Sequence, residues 1–176
     1  MAVRDGSRWP AEAGVAVGRP VPGAPHVAFA VSFIELYEEA FAPMVRLAVA
    51  LTGSEALAED LVHDAFVRVH GKWSEVESPN AYLRAAVVNA CRSASRRSRR
   101  ERLVSQSQPA PEVGLGADEL FDALARLPYR QRAAVVLQYY EGLQQTEIAE
   151  LLGCRVGTVA SLVHRALEQL RRVIER

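Results

Sequence analysis

The chain has 176 residues, 49% of them apolar and 24% charged, and its 21 basic and 21 acidic side chains cancel to a net charge of zero. That composition belongs to a globular protein of one ordinary domain or two small ones, and excludes collagen-like and wholly disordered classes. No apolar run reaches the roughly 18–20 residues of a membrane span, and Cys91 and Cys154, far apart within helical patterns, fit neither a disulfide framework nor a zinc site.

Residues 1–31 are rich in Pro, Gly, Ala and Val without periodicity and read as a disordered N-terminal extension. Pro10, Pro20, Pro22 and Pro25 break any signal-peptide core, so a reducing cytoplasm is expected. Helical spacing begins at Phe33 and runs through Leu36, Tyr37, Ala40, Phe41, Met44, Leu47, Ala48 and Leu51. Pro43 within it predicts a kink or a break. Thr52-Gly53-Ser54 reads as a helix stop followed by an N-cap. A second helix over about 55–70 is predicted to bury Ala58, Leu61, Val62, Ala65, Phe66 and Val69. A loop carrying Trp73 leads to a third helix over about 80–100, with Leu83, Val87, Ala90 and Ala94 inside.

The stretch SQSQPAPEVGLGA, 105–117, is polar, broken by Pro and Gly, and reads as a linker. Helical pattern resumes at Leu120, Phe121, Leu124 and Leu127, and Pro128 restarts a helix through Tyr140. After Glu141-Gly142, a short helix over about 145–152 and a last one over about 155–174 complete the chain. No segment alternates like a strand. The expected architecture is all-α: an extension at 1–31, a helical domain at 32–102, a flexible linker at 103–117 and a second helical domain at 118–176.

Charge is segregated despite the neutral sum. Seven acids lie between Glu35 and Asp64 against Arg46 alone, and six arginines lie between Arg92 and Arg102 against Glu101 alone. Such separation predicts two surfaces with different partners. On the second helix Asp60, His63, Asp64 and Val67 share the face away from the buried stripe. A valine ringed by acids suits contact with a basic protein partner. Glu59 and His63, at i and i+4, are a weak metal signal without further ligands. On the third helix Asn89, Arg92, Arg96 and Arg99 lie opposite the buried residues. A nearly unmixed arginine face is better explained by phosphate than by water.

The last two helices carry a helix-turn-helix pattern. Ala149, Gly153 and Val159 supply the small residue, the turn glycine and the apolar residue that let two helices pack steeply. Val156, Val159, Val163, Ala166, Leu170 and Val173 form the expected inner stripe. Gly157, Thr158, Ser161, His164, Arg165 and Glu168 then face outward, where Thr158, Ser161, His164 and Arg165 can meet base edges or phosphates. The same pattern also fits a packed hairpin whose polar face meets only water.

The motifs AEDLVHDAFVRV at 58–69, SPNAYLRAAVVNACRSASRRSRR at 78–100 and LPYRQRAAVVLQYYEGLQQTEIAELLGCRVGTV at 127–159 are specific in their order and spacing. Together they resemble an extracytoplasmic-function RNA polymerase sigma factor (sigma-70 family, group 4), particularly an actinobacterial subgroup. The resemblance implies that 32–102 is sigma region 2 and 118–176 is sigma region 4. It implies docking of Asp60, His63, Asp64 and Val67 on the clamp helices of the largest polymerase subunit. It assigns −10 promoter recognition to Trp73, Asn80, Arg84, Asn89, Arg92, Arg96 and Arg99, and −35 recognition to Arg155, Thr158, Ser161, His164 and Arg165. An anti-sigma protein covering the docking surfaces is a further partner it allows. No catalysis, cofactor or metal, and no membrane partner, is implied.

The sequence departs from the family at Ala160, where a basic residue is usual, and at Leu162, where a polar or basic one is usual. Both positions are expected to flank the groove-facing side. Arg155 stands where a capping serine is common, Gln144 likewise, and His63 replaces a frequent glutamine. Two alternatives follow: a stand-alone helix-turn-helix regulator, or a degenerate sigma-like protein without promoter-opening activity.

Overall fold

The computed structural model describes residues 32–104 and 119–174, so the expected N-terminal extension and most of the linker lie outside the described residues. Among the described residues there are seven helices: α1 Phe33–Thr52, α2 Glu55–Gly71, α3 Pro79–Val104, α4 Glu119–Arg126, α5 Tyr129–Tyr139, α6 Gln145–Leu152 and α7 Val156–Ile174. No strand occurs among the described residues.

Helix α1 starts where Ser32 and Glu35 satisfy each other's backbone. Ser32 Oγ accepts from the Glu35 N–H at 3.1 Å, and Glu35 Oε2 accepts from the Ser32 N–H at 2.7 Å. It stops at Gly53, whose φ of 76° lies in the left-handed region that glycine enters without a Cβ penalty. Of the kink or break expected at Pro43, the break does not occur. The helix runs through it unbroken, because Leu36, Ala40, Met44, Leu47, Ala48 and Leu51 bury one continuous stripe. Burial of several such side chains, at about 1.5–3 kcal/mol each, offsets the roughly 3 kcal/mol an internal proline costs. Ser54 then caps α2 by accepting from the Leu57 N–H at 3.4 Å, as the sequence indicated.

Helices α1, α2 and α3 pack mutually as one unit, and α5, α6 and α7 as another, with α4 lying on α7. Several details correct the expected interiors. Leu61, Ala90 and Ala94 are only half-buried, whereas Ala85, Val88 and Cys91 are buried on α3. Val156 and Val173, at the two ends of the α7 stripe, are exposed. Helix α3 also runs four residues beyond the expected Arg100.

The two units are not merely tethered. Helix α1 touches α4 and α5, helix α3 touches α6, and one apolar core runs from Leu36 through to Leu170. Helix α3 therefore has two buried sides, one toward its own bundle and one toward α5 and α6. Amphipathic analysis of a single helix assumes one.

Candidate nucleic-acid interface

The acidic face of α2 is open to solvent. Asp60, His63, Asp64 and Val67 are all exposed, Val67 at 71%. An aromatic stack between α1 and α2 supports this face from beneath. The Phe41 ring lies 4.9 Å from the His63 ring, and the Tyr37 ring 4.9 Å from Phe66. His63 Nδ1 sits 2.9 Å from the Glu59 carbonyl and Nε2 sits 3.4 Å from the Tyr37 hydroxyl. Both ring nitrogens are thus engaged, one by its own helix and one by α1. Among the described residues no cluster of three His, Cys, Asp or Glu side chains is placed to hold a metal.

The arginine row of α3 is divided. Arg96 and Arg99 are exposed, as is Asn80 at the start of the helix, while Asn89 is half-buried. Trp73 is half-buried too, its ring edge-on to Phe33 at 5.5 Å. Arg84 and Arg92 instead reach across to the other helical unit. Arg84 Nε donates to Glu141 Oε2 at 2.7 Å, and the Glu141 side chain is only 9% exposed. Partial burial sets this pair apart from surface ion pairs, whose worth is about 0–1 kcal/mol. Arg92 Nη1 donates to the Leu152 carbonyl at 3.4 Å, and Arg130 Nη2 reaches the same oxygen at 3.4 Å. That oxygen belongs to the last turn of α6, where unsatisfied carbonyls and the helix dipole favour cations. The next residue, Gly153, has φ 59°, and a Cβ there would stand 3.7 Å from Arg92 Nη1.

More bonds close the same seam. Tyr129 Oη donates to the Val88 carbonyl of α3 at 3.0 Å, and Arg46 Nε of α1 donates to Tyr140 Oη at 3.1 Å. Arg132 is 92% buried here, an uncommon place for a guanidinium. Its Nε has no hydrogen-bond partner. Burial lowers its pKa, and it also pushes the Cys91 thiol up to about 12 and the Tyr129 phenol well above its ordinary value. The Cys91 thiol and the Tyr129 phenol beside this guanidinium are thus held in their neutral forms.

In the C-terminal hairpin, Ala149 and Val159 are buried and Gly153 adopts the left-handed turn, as expected of that triplet. Arg155, Thr158, Ser161, His164 and Arg165 are all exposed on one side of α7 or just before it. Ser161 Oγ donates to the Gly157 carbonyl at 3.1 Å, so its proton is held by its own helix and its lone pairs stay free. His164 Nε2 lies 3.8 Å from Glu168 Oε1. Ala160 is exposed, but Leu162 is half-buried against the core, which corrects its expected place beside the groove face. Without a capping side chain at 144, Gln144 still gains a bond, its N–H donating to Glu147 Oε2 at 2.8 Å.

The Sigma-70 region 2 family profile matches residues 36–101, and the Sigma-70, region 4 profile matches residues 117–170. The chain is 32% identical to the RNA polymerase sigma-E factor of Streptomyces avermitilis over 75% of its own length and 79% of that protein. It is 34% identical to the ECF RNA polymerase sigma factor SigL of Mycobacterium tuberculosis, over 80% of its length and 87% of the relative. Its fold superposes on the sigma factor RpoE of Bartonella quintana, solved in complex with the anti-sigma factor NepR. The TM-score there is 0.67 and the identity 26%, covering 81% of this chain and 96% of that one. The chain belongs to the extracytoplasmic-function sigma factors.

In this sigma factor the singled-out residues of α2 and α7 are exposed, those of α3 only in part, and the seam is not legible from periodicity. Glu141, Tyr129, Arg130, Arg132, Tyr140 and Arg46 were not singled out, because nothing in the spacing of one helix reveals a partner 41 to 94 residues away. The one available signal was the PYRQR run after Pro128, where a helix begins with two arginines and a tyrosine in place of capping acids.

Proposed function

We propose a division of labour among three surfaces. This sigma factor binds core RNA polymerase and directs promoter-specific transcription initiation. In our reading Asp60, His63, Asp64 and Val67 dock on the clamp helices of the largest subunit. Trp73, Asn80, Arg84, Asn89, Arg92, Arg96 and Arg99 engage the −10 element, and Arg155, Thr158, Ser161, His164 and Arg165 engage the −35 element. The observation that carries the reading is the exposure of an acid-ringed valine on one helix beside an arginine row on the next. An apolar centre with a charged rim is how a protein interface is built, whereas arginines without acids suit a phosphate backbone.

The protein forms and breaks no bonds of its own in this reading. It works in the cytoplasm, where core polymerase and promoter DNA are found, and an anti-sigma protein competes for the same docking surfaces. Support for the last point comes from the Bartonella quintana relative, which was captured in such a complex. No described helix is long and apolar enough to cross a membrane.

The test is run-off transcription on pooled genomic fragments with core polymerase, plus or minus the protein. New discrete start sites that require the protein are expected, and their upstream sequences give both promoter elements. DNA binding without polymerase and without new starts would favour a stand-alone regulator. Polymerase binding without initiation would favour a degenerate sigma factor, with Ala160 the first residue to change to arginine.

A further inference from the structure

We propose that Phe33, the first residue of α1, is the positioning residue for Trp73 and sets the direction in which the indole faces the −10 element. The proposal rests on the assignment of Trp73 to that element made above.

Trp73 stands apart from the asparagines and arginines assigned with it. Those all project from α3, whose backbone fixes where each side chain starts and which way it leaves. Trp73 lies between α2 and α3, in a turn closed by the main chain. The Lys72 N–H donates to the Val69 carbonyl at 3.1 Å, the Trp73 N–H to the His70 carbonyl at 3.2 Å, and the Glu75 N–H to the Lys72 carbonyl at 2.9 Å. These bonds place the Trp73 backbone but leave its side-chain torsions open. The direction of the indole is then decided by what it packs on.

It packs on Phe33. The indole stands edge-on to the Phe33 ring, with centroids 5.5 Å apart and planes at 89°. Phe33 is itself held by two further rings. Phe66, only 2% exposed, meets it at 6.2 Å and 85°, and His70 meets it at 4.8 Å and 76°. Edge-to-face contact is a favoured arrangement of two rings, because the positive edge of one meets the negative face of the other. The Phe33 backbone is fixed too, since the Ser32–Glu35 capping box closes the first turn of α1 around it. Filling the core requires only an apolar side chain at position 33, whereas three near-perpendicular ring contacts require an aromatic one.

A ring that receives a nucleobase stacks face to face with it, so one face must be open and its plane preset. Trp73 is half-buried, packed against the core on one part and open to solvent on the rest. An indole free to rotate has to be ordered as the base arrives, and that ordering weakens the contact. Held on Phe33, it is ordered beforehand. Phe33 touches no nucleic acid in this arrangement and acts through Trp73 alone, which gives it a signature that a residue merely filling the core lacks.

The experiment compares Phe33→Leu, Trp73→Ala and the double variant in the full-length protein. Two quantities are measured. The first is acrylamide quenching of Trp73 fluorescence in the free protein, with Trp9 replaced by Phe so that Trp73 is the one tryptophan left. The second is the rate of opening by the holoenzyme of a promoter from the run-off test, read from 2-aminopurine placed in its −10 element. Phe33→Leu should raise the quenching constant about twofold and slow opening about three- to tenfold, the range that one oriented aromatic contact converts to. Affinity for core polymerase should stay within about twofold of wild type. Once Trp73 is alanine, Phe33→Leu should slow opening no further, because a residue acting through another adds nothing when that other is gone.

Equal slowing by Phe33→Leu with and without the indole would make Phe33 a core residue only, and would overturn the proposal. Unchanged quenching would overturn it too, and so would a matching loss of polymerase affinity. A Trp73→Ala protein that opens the promoter at the wild-type rate would remove the assignment of Trp73 and the proposal with it. Slow opening by Trp73→Ala beside normal opening by Phe33→Leu would remove the proposal and leave that assignment standing. Should Phe33→Leu lose its helical circular dichroism, Phe33→Met, equally apolar and equally without a ring, decides by the same criteria. Quenching is read on the free protein, so that arm holds whether or not the run-off test yields a promoter.

Discussion

Helices α2 and α3 are neighbours in one bundle, and each carries a charged row read from the sequence by the same periodicity, yet the two rows meet different surroundings. All four singled-out residues of α2 face solvent, while the α3 row is open at Arg96 and Arg99 and covered at Arg84 and Arg92. The difference teaches that periodicity identifies which side of a helix leaves its own core. Whether a distant part of the chain then covers that side is a separate matter, decided by long-range contacts. Two charged rows on adjacent helices can thus differ in accessibility, one open and the other partly covered.

The largest effect expected from pressing on this contrast is at the open face. Asp60→Arg should weaken association with core polymerase on the order of 100-fold, since like charges brought together at an interface cost several kcal/mol. Circular dichroism should stay at the wild-type value, because Asp60 is exposed and has no seam contact. Normal co-purification of a folded Asp60→Arg protein with core enzyme would remove α2 from the docking surface.

Alkaline pH should act on the covered side alone. Cys91 titrates near 9.0 when unfolded but near 12 when buried, so its protonated form contributes stability that is fully present below pH 9. That contribution is lost as pH rises from 9 to 12, and the raised Tyr129 phenol acts in the same sense. For the thiol alone the loss is about 1.4 kcal/mol at pH 10. A Cys91→Ala variant should show a flatter decline in melting temperature over this window. An equally steep decline in that variant would place the alkaline sensitivity elsewhere.

The smallest effect is also the most discriminating. In the free protein Arg96→Ala should weaken binding to arbitrary duplex about threefold and flatten the salt slope by about one. Arg92→Ala should change both much less, because its guanidinium is already engaged. In the polymerase-bound state, run-off transcription should suffer from either change. Equal losses in the free protein would mean that the two arginines are equally available there.

Much of the architecture was legible in the sequence because local chemistry dictates it. Gly53 and Ser54 end one helix and start the next by left-handed backbone and hydroxyl cap, and Ala149, Gly153 and Val159 set the hairpin by size alone. The capping pair Ser32 and Glu35 was equally readable from its spacing and was overlooked. Pro43 misled because a local cost was weighed without the stripe of buried residues that overrides it. Leu162 was expected to flank the groove-facing side, and its side chain is half-buried against the core. Val88, Cys91 and Arg132 could not be placed by any local rule: two apolar residues facing away from one bundle, and one cation facing inward, make sense only with the second unit in position.

The seam bonds join residues 41 to 94 positions apart, whereas α1, α2 and α3 are consecutive. During synthesis the first bundle leaves the ribosome well before its cover exists. From Val104 to Glu141 is 37 residues, which take roughly 2–7 s to make at 5–20 residues per second. For that interval each nascent chain carries its whole arginine row uncovered, close to messenger and ribosomal RNA. Closure of the seam thus completes the shared apolar core only at the end of synthesis.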